Sequence, residues 1–483
     1  MDTTPDPRRW RALIVLAVAQ FMVVLDASIV NVALPSIRDS LHFSLADQQW
    51  IVNAYTLTFG GFLLLGGRFA DLLGRRKVFM VGLGIFSLAS LVGGFAQSEG
   101  MLIAARGIQG LGAAIVSPAA LSIVTTTFTE GAERNKALGI WGALAGAGGA
   151  VGVLLGGVLT QSLGWEWVLF VNVPIGVAAA ALAPRFVRES RSRERTSFDV
   201  GGALLITGGL VTLVYALVEA GGAGWGSFQT VGLLALSLVL VLGFVALESR
   251  TAHPLMPLRI FRNRSVASAN AVALLVGASL FSMFFFISLY LQRVLDYSAL
   301  EAGLSYLPLA FSIIISAGVA SQLVTRVGPK PIMAIGLALV STGLLLFSGV
   351  TADGTFAGNV LVPSIIAAVG LGFSFVPLTI TAVAGVTERE AGLASGLINT
   401  AQQVGGALGL AILSTIAVSK TGDVLSGVRA KPSPAQLADG LTQGFASAFT
   451  TGAGFALAGV VLAILVVPRI RRDALPQEAV APA

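Results

Sequence analysis

Apolar residues in this chain come in runs of about twenty, one after another, separated by short polar turns. A helix needs roughly 20 apolar residues to cross about 30 Å of hydrocarbon. Fourteen runs meet that length, near 12–34, 50–70, 78–97, 101–125, 136–159, 166–184, 200–219, 229–247, 266–290, 302–324, 331–350, 358–382, 393–418 and 443–467. The pattern predicts an all-α integral membrane protein with 14 transmembrane helices.

Composition agrees with that pattern. Charged residues make up 11% of the chain and apolar ones 55%, with 58 glycines and a mean hydropathy of +0.86. Soluble domains carry roughly 25% charge, so a water-soluble fold is excluded. The pI near 10 invites a nucleic-acid partner, but the placement of the cations argues against one. Of the 30 Lys and Arg, 23 fall in the N-terminal segment and the alternate loops on its side, and five in the opposite loops. Cytoplasmic loops carry the Lys/Arg excess, so both termini are expected in the cytosol. High Ala and Gly usage fits a GC-rich bacterial source, so the cytoplasmic membrane of a bacterium is the expected location. No cleavable signal is evident, and Pro476 to Ala483 reads as a short disordered tail. With no cysteine, and with His42 and His253 in loops, neither a metal nor an organic cofactor is expected.

A faint internal repeat divides the chain. Gly67-x-x-x-Asp71-Leu72-x-Gly74-x-Arg76 returns as Ser321-x-x-x-Thr325-Arg326-x-Gly328-x-Lys330, and Gly148-x-x-x-Gly152 returns as Gly405-x-x-x-Gly409. Both shifts equal eight helices. Two pseudo-symmetric six-helix bundles, 1–184 and 266–467, with two helices inserted across 185–265 between basic linkers, produce that shift; 468–483 follows as a cytosolic tail.

Asp26 is the main chemical candidate. It sits inside the first run, roughly 22 Å from the cytosolic end and about 13 Å from the outer one. A carboxylate at that depth costs several kcal/mol unless it is protonated, paired or facing a wet cavity. Desolvation raises the pKa of such an acid, suiting it to load and release protons, provided that it reaches water. Arg106 in the fourth run lies at nearly the same depth and is the expected partner. Gln109, one turn further in, and Asn31 are candidates for a substrate cavity, with Asn399, Gln402 and Gln403 in the thirteenth run. Asn31 is about 140° around the helix from Asp26, so it is expected to bond a neighbouring helix.

The turn Gly67-Arg-Phe-Ala-Asp71-Leu-Leu-Gly74-Arg75-Arg76-Lys77 has its own logic. Asp71 falls at a helix C-terminus, where the dipole disfavours a carboxylate. Arg75, Arg76 or the N-terminus of another helix must compensate, and a contact with the opposite half would act as a cytosolic latch. The fifth run carries Gly139, then Gly148, Gly152, Gly156 and Gly157; the four-residue spacing makes a smooth stripe for close helix packing. Glu166, with Trp165 and Trp167, reads as an aromatic anchor at the outer interface.

Together these motifs resemble the major facilitator superfamily, in its 14-helix drug:proton antiporter branch of the EmrB/QacA type. Leu25-Asp26 through Pro35 is similar to the first-helix signature, with Ser28 where Thr is usual. Gly67 to Arg76 resembles the cytosolic-loop signature, with Leu72 at a customary basic position. Arg106-Gly107-Ile108-Gln109-Gly110 resembles the fourth-helix motif, and the fifth-helix stripe resembles the antiporter motif with Val153 at its usual proline. Trp165 to Gly176 resembles a further signature of the branch. The resemblance implies alternating access, with a small amphipathic drug or antibiotic exported against an entering proton by a monomer in the lipid bilayer. A membrane enzyme is disfavoured because no nucleophile–base pair or paired carboxylates assemble, and a sensor because the loops are short and no appended domain to transmit a signal is expected. A proton-coupled importer on the same scaffold is the remaining alternative.

Overall fold

In the computed structural model, residues 8–43, 50–128, 132–190, 199–251, 254, 256–386, 390–426 and 432–468 are described. The tail 469–483, His253 and the basic stretch 191–198 of the linker lie outside them. The described chain folds into fourteen main helices: α1 (Arg9–Leu41), α2 (Trp50–Leu73), α3 (Arg75–Gly94), α4 (Glu99–Thr127), α5 (Ala132–Ser162), α6 (Trp167–Phe186), α7 (Val200–Ala223), α8 (Phe228–Glu248), α9 (Arg264–Arg293), α10 (Leu300–Val327), α11 (Pro329–Phe347), α12 (Phe356–Ala382), α13 (Ala391–Leu425) and α14 (Pro434–Leu465). Thirteen of them are long and apolar enough to cross a membrane; in α5 the apolar stretch among the described residues is shorter, Val151–Ser162. Several helices outrun the apolar stretches that announced them. α14 opens at a capping box, in which Ser433 and Gln436 satisfy each other's backbone N–H groups, well before the apolar run starts. α13 continues past Lys420 and Asp423, so its last turns extend beyond the hydrocarbon thickness.

The repeated glycines define equivalent helix pairs. Gly148, Gly152 and Gly156 press α5 onto α1, where they meet Val24, Leu25 with Ser28, and Ile29 with Val32. Gly405 and Gly409 press α13 onto α9 at Leu274 and Ala278 in the same manner. Such backbone approaches replace the hydrophobic drive that lipid cannot supply. The two turns of the repeat match as well: Gly74 (φ 108°) and Gly328 (φ 84°) occupy a left-handed region that other residues rarely adopt.

The inserted pair leans on both sides of one seam. Val211 of α7 fills the space left by Gly61 of α2, and Trp50 packs on Tyr215 at 5.7 Å between ring centres. Between α7 and α8, Trp225 donates from Nε1 to Thr415 Oγ1 of α13 at 2.9 Å.

A Cβ at Gly152 would strike Ser28 Oγ and come within 2.7 Å of the Leu25 carbonyl, whereas nothing lies within 4 Å of one at Gly84. Gly152→Ala is expected to destabilise by about 1–3 kcal/mol through overpacking. Gly84→Ala gains up to about 1 kcal/mol of helix propensity. Thermal midpoints of the detergent-purified variants check the opposite signs.

Candidate functional site

α1 carries Asp26 into the interior formed by α1, α2, α3, α4 and α6, where it retains no exposed surface. Its Oδ2 accepts from Arg106 Nη1 at 2.6 Å, and its Oδ1 accepts from Gln109 Nε2 at 2.7 Å and Asn172 Nδ2 at 2.8 Å. An ionised carboxylate only accepts hydrogen bonds, and three donors converge on it. Arg106, 1% exposed, also donates from Nε to the Ile51 carbonyl at 3.1 Å and from Nη1 to Gln109 Oε1 at 2.6 Å. Its guanidinium lies 4.4 Å from the centre of the Tyr55 ring, whose hydroxyl donates to the Val23 carbonyl at 3.3 Å. Ser90 Oγ accepts from both Gln109 and Asn172 at 3.1 Å and donates to the Leu169 carbonyl at 2.8 Å.

The local sequence explains this convergence. Arg106 and Gln109 are three residues apart and so share a helix face. α6 breaks at Val171, and Asn172 opens its longer piece. Asn172 Oδ1 is buried without a partner, although the same amide donates to two acceptors. A half-turn of that amide would let it accept from a protonated Asp26, so the orphaned oxygen marks a place where the network can rearrange.

Several expected placements change. Gln109 lines no open cavity; it is buried against Asp26 because its amide bridges carboxylate, guanidinium and Ser90. Asn31 is exposed and bonds its own helix, donating to the Ala27 carbonyl at 3.2 Å, rather than a neighbouring helix. Trp165 is buried among Leu25, Ile29 and Leu169, leaving Trp167 as the exposed ring of the pair. On α13, Asn399 donates to the Ser395 carbonyl of its own helix at 2.8 Å. Gln402 packs by its backbone on Gly277 of α9, and Gln403 lies against Gly60 of α2, on the seam between the two helix groups.

At the turn between α2 and α3, Asp71 is fully buried and its Oδ1 takes two bonds from Arg75, at 2.8 and 3.1 Å. The Leu393 backbone N–H in the first turn of α13 acts on the same carboxylate, while Oδ2 completes no hydrogen bond. Arg76 turns away from Asp71. It pairs with Glu189 at 3.7 Å, and Glu189 also accepts from the backbone N–H groups of Arg76 and Lys77 at 3.1 and 3.2 Å. Glu189 therefore neutralises the exposed N-terminus of α3 from the segment after α6. An acid beside Arg185 and Arg188 is the sequence signal that would have found it. Gly139 of α5 faces Ser321 of α10, again across the seam, while Gly157 is buried within α5.

The sequence matches the profile of the Major Facilitator Superfamily over residues 16–410. The chain belongs to that family. Among its relatives, a puromycin resistance protein of Streptomyces alboniger is 41% identical, covering 95% of this chain and 91% of its own length. The cephamycin export protein of Amycolatopsis lactamdurans is 43% identical over 96% of this chain and 94% of its own. A lincomycin resistance protein of Streptomyces lincolnensis is 35% identical over 97% and 94% respectively. The crystal structure of the human organic anion transporter MFSD10 (TETRAN) shares the fold, with a TM-score of 0.66 at 15% identity over 95% of this chain and all of that one. This facilitator is thus a multi-pass membrane protein of a transporter family.

A double-mutant cycle tests whether Asn172 acts through the carboxylate. Asn172→Ala is expected to cost about 2 kcal/mol in the wild type, the scale of a hydrogen bond to a charged group. In an Asp26→Asn background the loss should fall below about half of that. Equal losses in both backgrounds would make Asn172 a packing residue only.

Proposed function

We propose that this facilitator exports an antibiotic or similar small amphipathic compound in exchange for protons, with Asp26 as the group that carries the proton. One observation supports the reading most: an aspartate deep in the membrane, with no exposed surface, held by Arg106, Gln109 and Asn172. Intramembrane acids are costly to retain and mark proton or substrate pathways. The relatives named for resistance to or export of puromycin, cephamycin and lincomycin supply the direction and the class of cargo. The arrangement fits the unprotonated, held state. Arg106 cannot release its own proton, so exchange requires the pair to separate and water to enter. A proton arriving at Asp26 neutralises it, weakens its hold on Arg106, and lets the Asn172 amide turn to accept from the new O–H.

The driving force suffices for uphill export. One proton entering across about 100 mV yields roughly 2.3 kcal/mol, and a tenfold gradient of a neutral compound costs about 1.4 kcal/mol. The cargo path follows the seam lined by α2 and α13, with Gln402 and Gln403 on its wall and Asn399 and Asn31 near it. Asp71, Arg75 and Leu393 form the cytosolic latch, with Gly67 one turn before Asp71 on α2; Gly74 instead leaves room for Glu189. The transporter works as a monomer in the cytoplasmic membrane of a bacterium, with both termini in the cytosol. It draws on the proton gradient and no cofactor.

In an efflux-deficient host, Asp26→Asn is expected to abolish resistance across an antibiotic panel while the membrane level of the protein stays normal; full retained resistance overturns the coupling role. Asp71→Asn should slow turnover several-fold in energised vesicles and leave substrate affinity nearly unchanged. An unaltered rate would remove the latch from the mechanism.

A further inference from the structure

We propose that the lipid-facing surface between α1 and α6 binds one anionic phospholipid of the cytoplasmic leaflet, with its phosphate on Arg11 and Arg185 and an acyl chain in the adjacent groove. A groove of about 360 Å³ runs there, lined by Ile14, Val15 and Val18 of α1 and by Ile175, Ala178 and Leu182 of α6. It faces away from the seam and the Asp26 network, since Ile14 is 63% exposed, Val18 43% and Leu182 44%. The wall is almost wholly apolar and includes the small side chains Ala178 and Ala179. This shape suits a flexible hydrocarbon chain, which gains dispersion contacts that an open void lacks.

The charge lies at one end only. Arg11 is three residues before Ile14, and Arg185 is three after Leu182 on an antiparallel helix, so both sit about one turn beyond the same mouth. Both guanidiniums lie near one ring, at 6.0 and 5.9 Å from the centre of Phe186. Neither forms an ion pair with an acid among the described residues, in contrast to Arg9, which meets Glu133 at 2.7 Å. Two arginines beside one apolar groove match the order of groups in a phospholipid, with the phosphate immediately above the acyl chains. Arginine forks bind phosphate oxygens bidentately, and basic pockets between helices on the cytoplasmic side favour anionic headgroups. A zwitterionic headgroup brings its own cation toward the pair and loses that advantage.

Occupancy would reach the interior through α6. The groove wall at Ile175 and Ala178 brackets Gly176, whose backbone rests on Ser87 of α3, and Asn172 lies one turn away on the same helix. A lipid that clamps α6 to α1 therefore steadies the helix that delivers Asn172 to Asp26. The binding proposal does not depend on the export reading.

Native mass spectrometry of the purified full chain tests it, titrating phosphatidylglycerol or phosphatidylcholine with identical acyl chains. The wild type is expected to hold one phosphatidylglycerol about tenfold more tightly than phosphatidylcholine. The double variant Arg11→Ala, Arg185→Ala should lose that preference, and Arg11→Lys, Arg185→Lys should keep most of it. Ala178→Phe should weaken both lipids by filling the groove, with the thermal midpoint of the lipid-free protein as the check on folding. Glycerol 3-phosphate should not displace the lipid, because it lacks the chain. A preference that survives the alanine pair, retention unaffected by Ala178→Phe, or displacement by glycerol 3-phosphate would each overturn the site.

Discussion

The Asp26–Arg106 pair is the constraint around which the first six helices are arranged. Two opposite charges buried without water are tolerated only where their remaining donors and acceptors are also met. That requirement recruits an amide from α4, an amide from α6, a hydroxyl from α3 and a carbonyl from α2. The bundle thus acquires a polar centre to which five helices are keyed. In lipid, where apolar burial does not order helices, such a centre and close glycine contacts are what remain to fix their packing.

The two halves share their packing but not their charge. Gly152 on α5 faces Leu25 and Ser28 on α1; Gly409 on α13 faces Ala278 on α9. Carrying that correspondence two residues back along α1 and α9 puts Val276 where Asp26 stands, and Val276 is buried and apolar. The scaffold is therefore duplicated while the titratable centre is single. The second turn of the repeat likewise holds Thr325 in place of Asp71. On the proposed proton coupling, only the first bundle carries the group that takes up the charge.

Much of this was legible in the chain before any geometry. The spans followed from length and hydropathy alone, and the depth match of Asp26 and Arg106 followed from helical rise, because α1 and α4 cross the same slab from opposite sides. Less legible was the uncharged part of the site beyond Gln109. Ser90 sits in an apolar context without a periodic signal, Asn172 stands in the Trp165 to Gly176 signature without any sign there that it bonds Asp26, and the carbonyl of Ile51 has no side-chain signature at all. The 140° offset separated Asn31 from Asp26, but it did not show that Asn31 would bond its own helix. Glu189 was hidden for another reason. Membrane patterning weighs the cations of a linker, and the acid that caps α3 contributes nothing to that count.

α2 links the two polar places of the first bundle. Near its start, Ile51 accepts from Arg106 and the Tyr55 ring lies under the guanidinium. Near its end, Asp71 is shared between Arg75 on the turn and Leu393 on α13. Twenty-four residues of helix make a rod of about 36 Å, with Gly60 and Gly61 on the flank that meets Gln403 and Val211. A shift of Arg106 away from Ile51 therefore acts on the same rigid element whose far end meets the opposite bundle. The Asp71 contact is well placed to yield, since Arg75 satisfies one carboxylate oxygen locally whether or not α13 stays. On the proposed mechanism, Arg75 would keep the acid paired as the halves part, so the contact with α13 could open without exposing an unpaired buried charge.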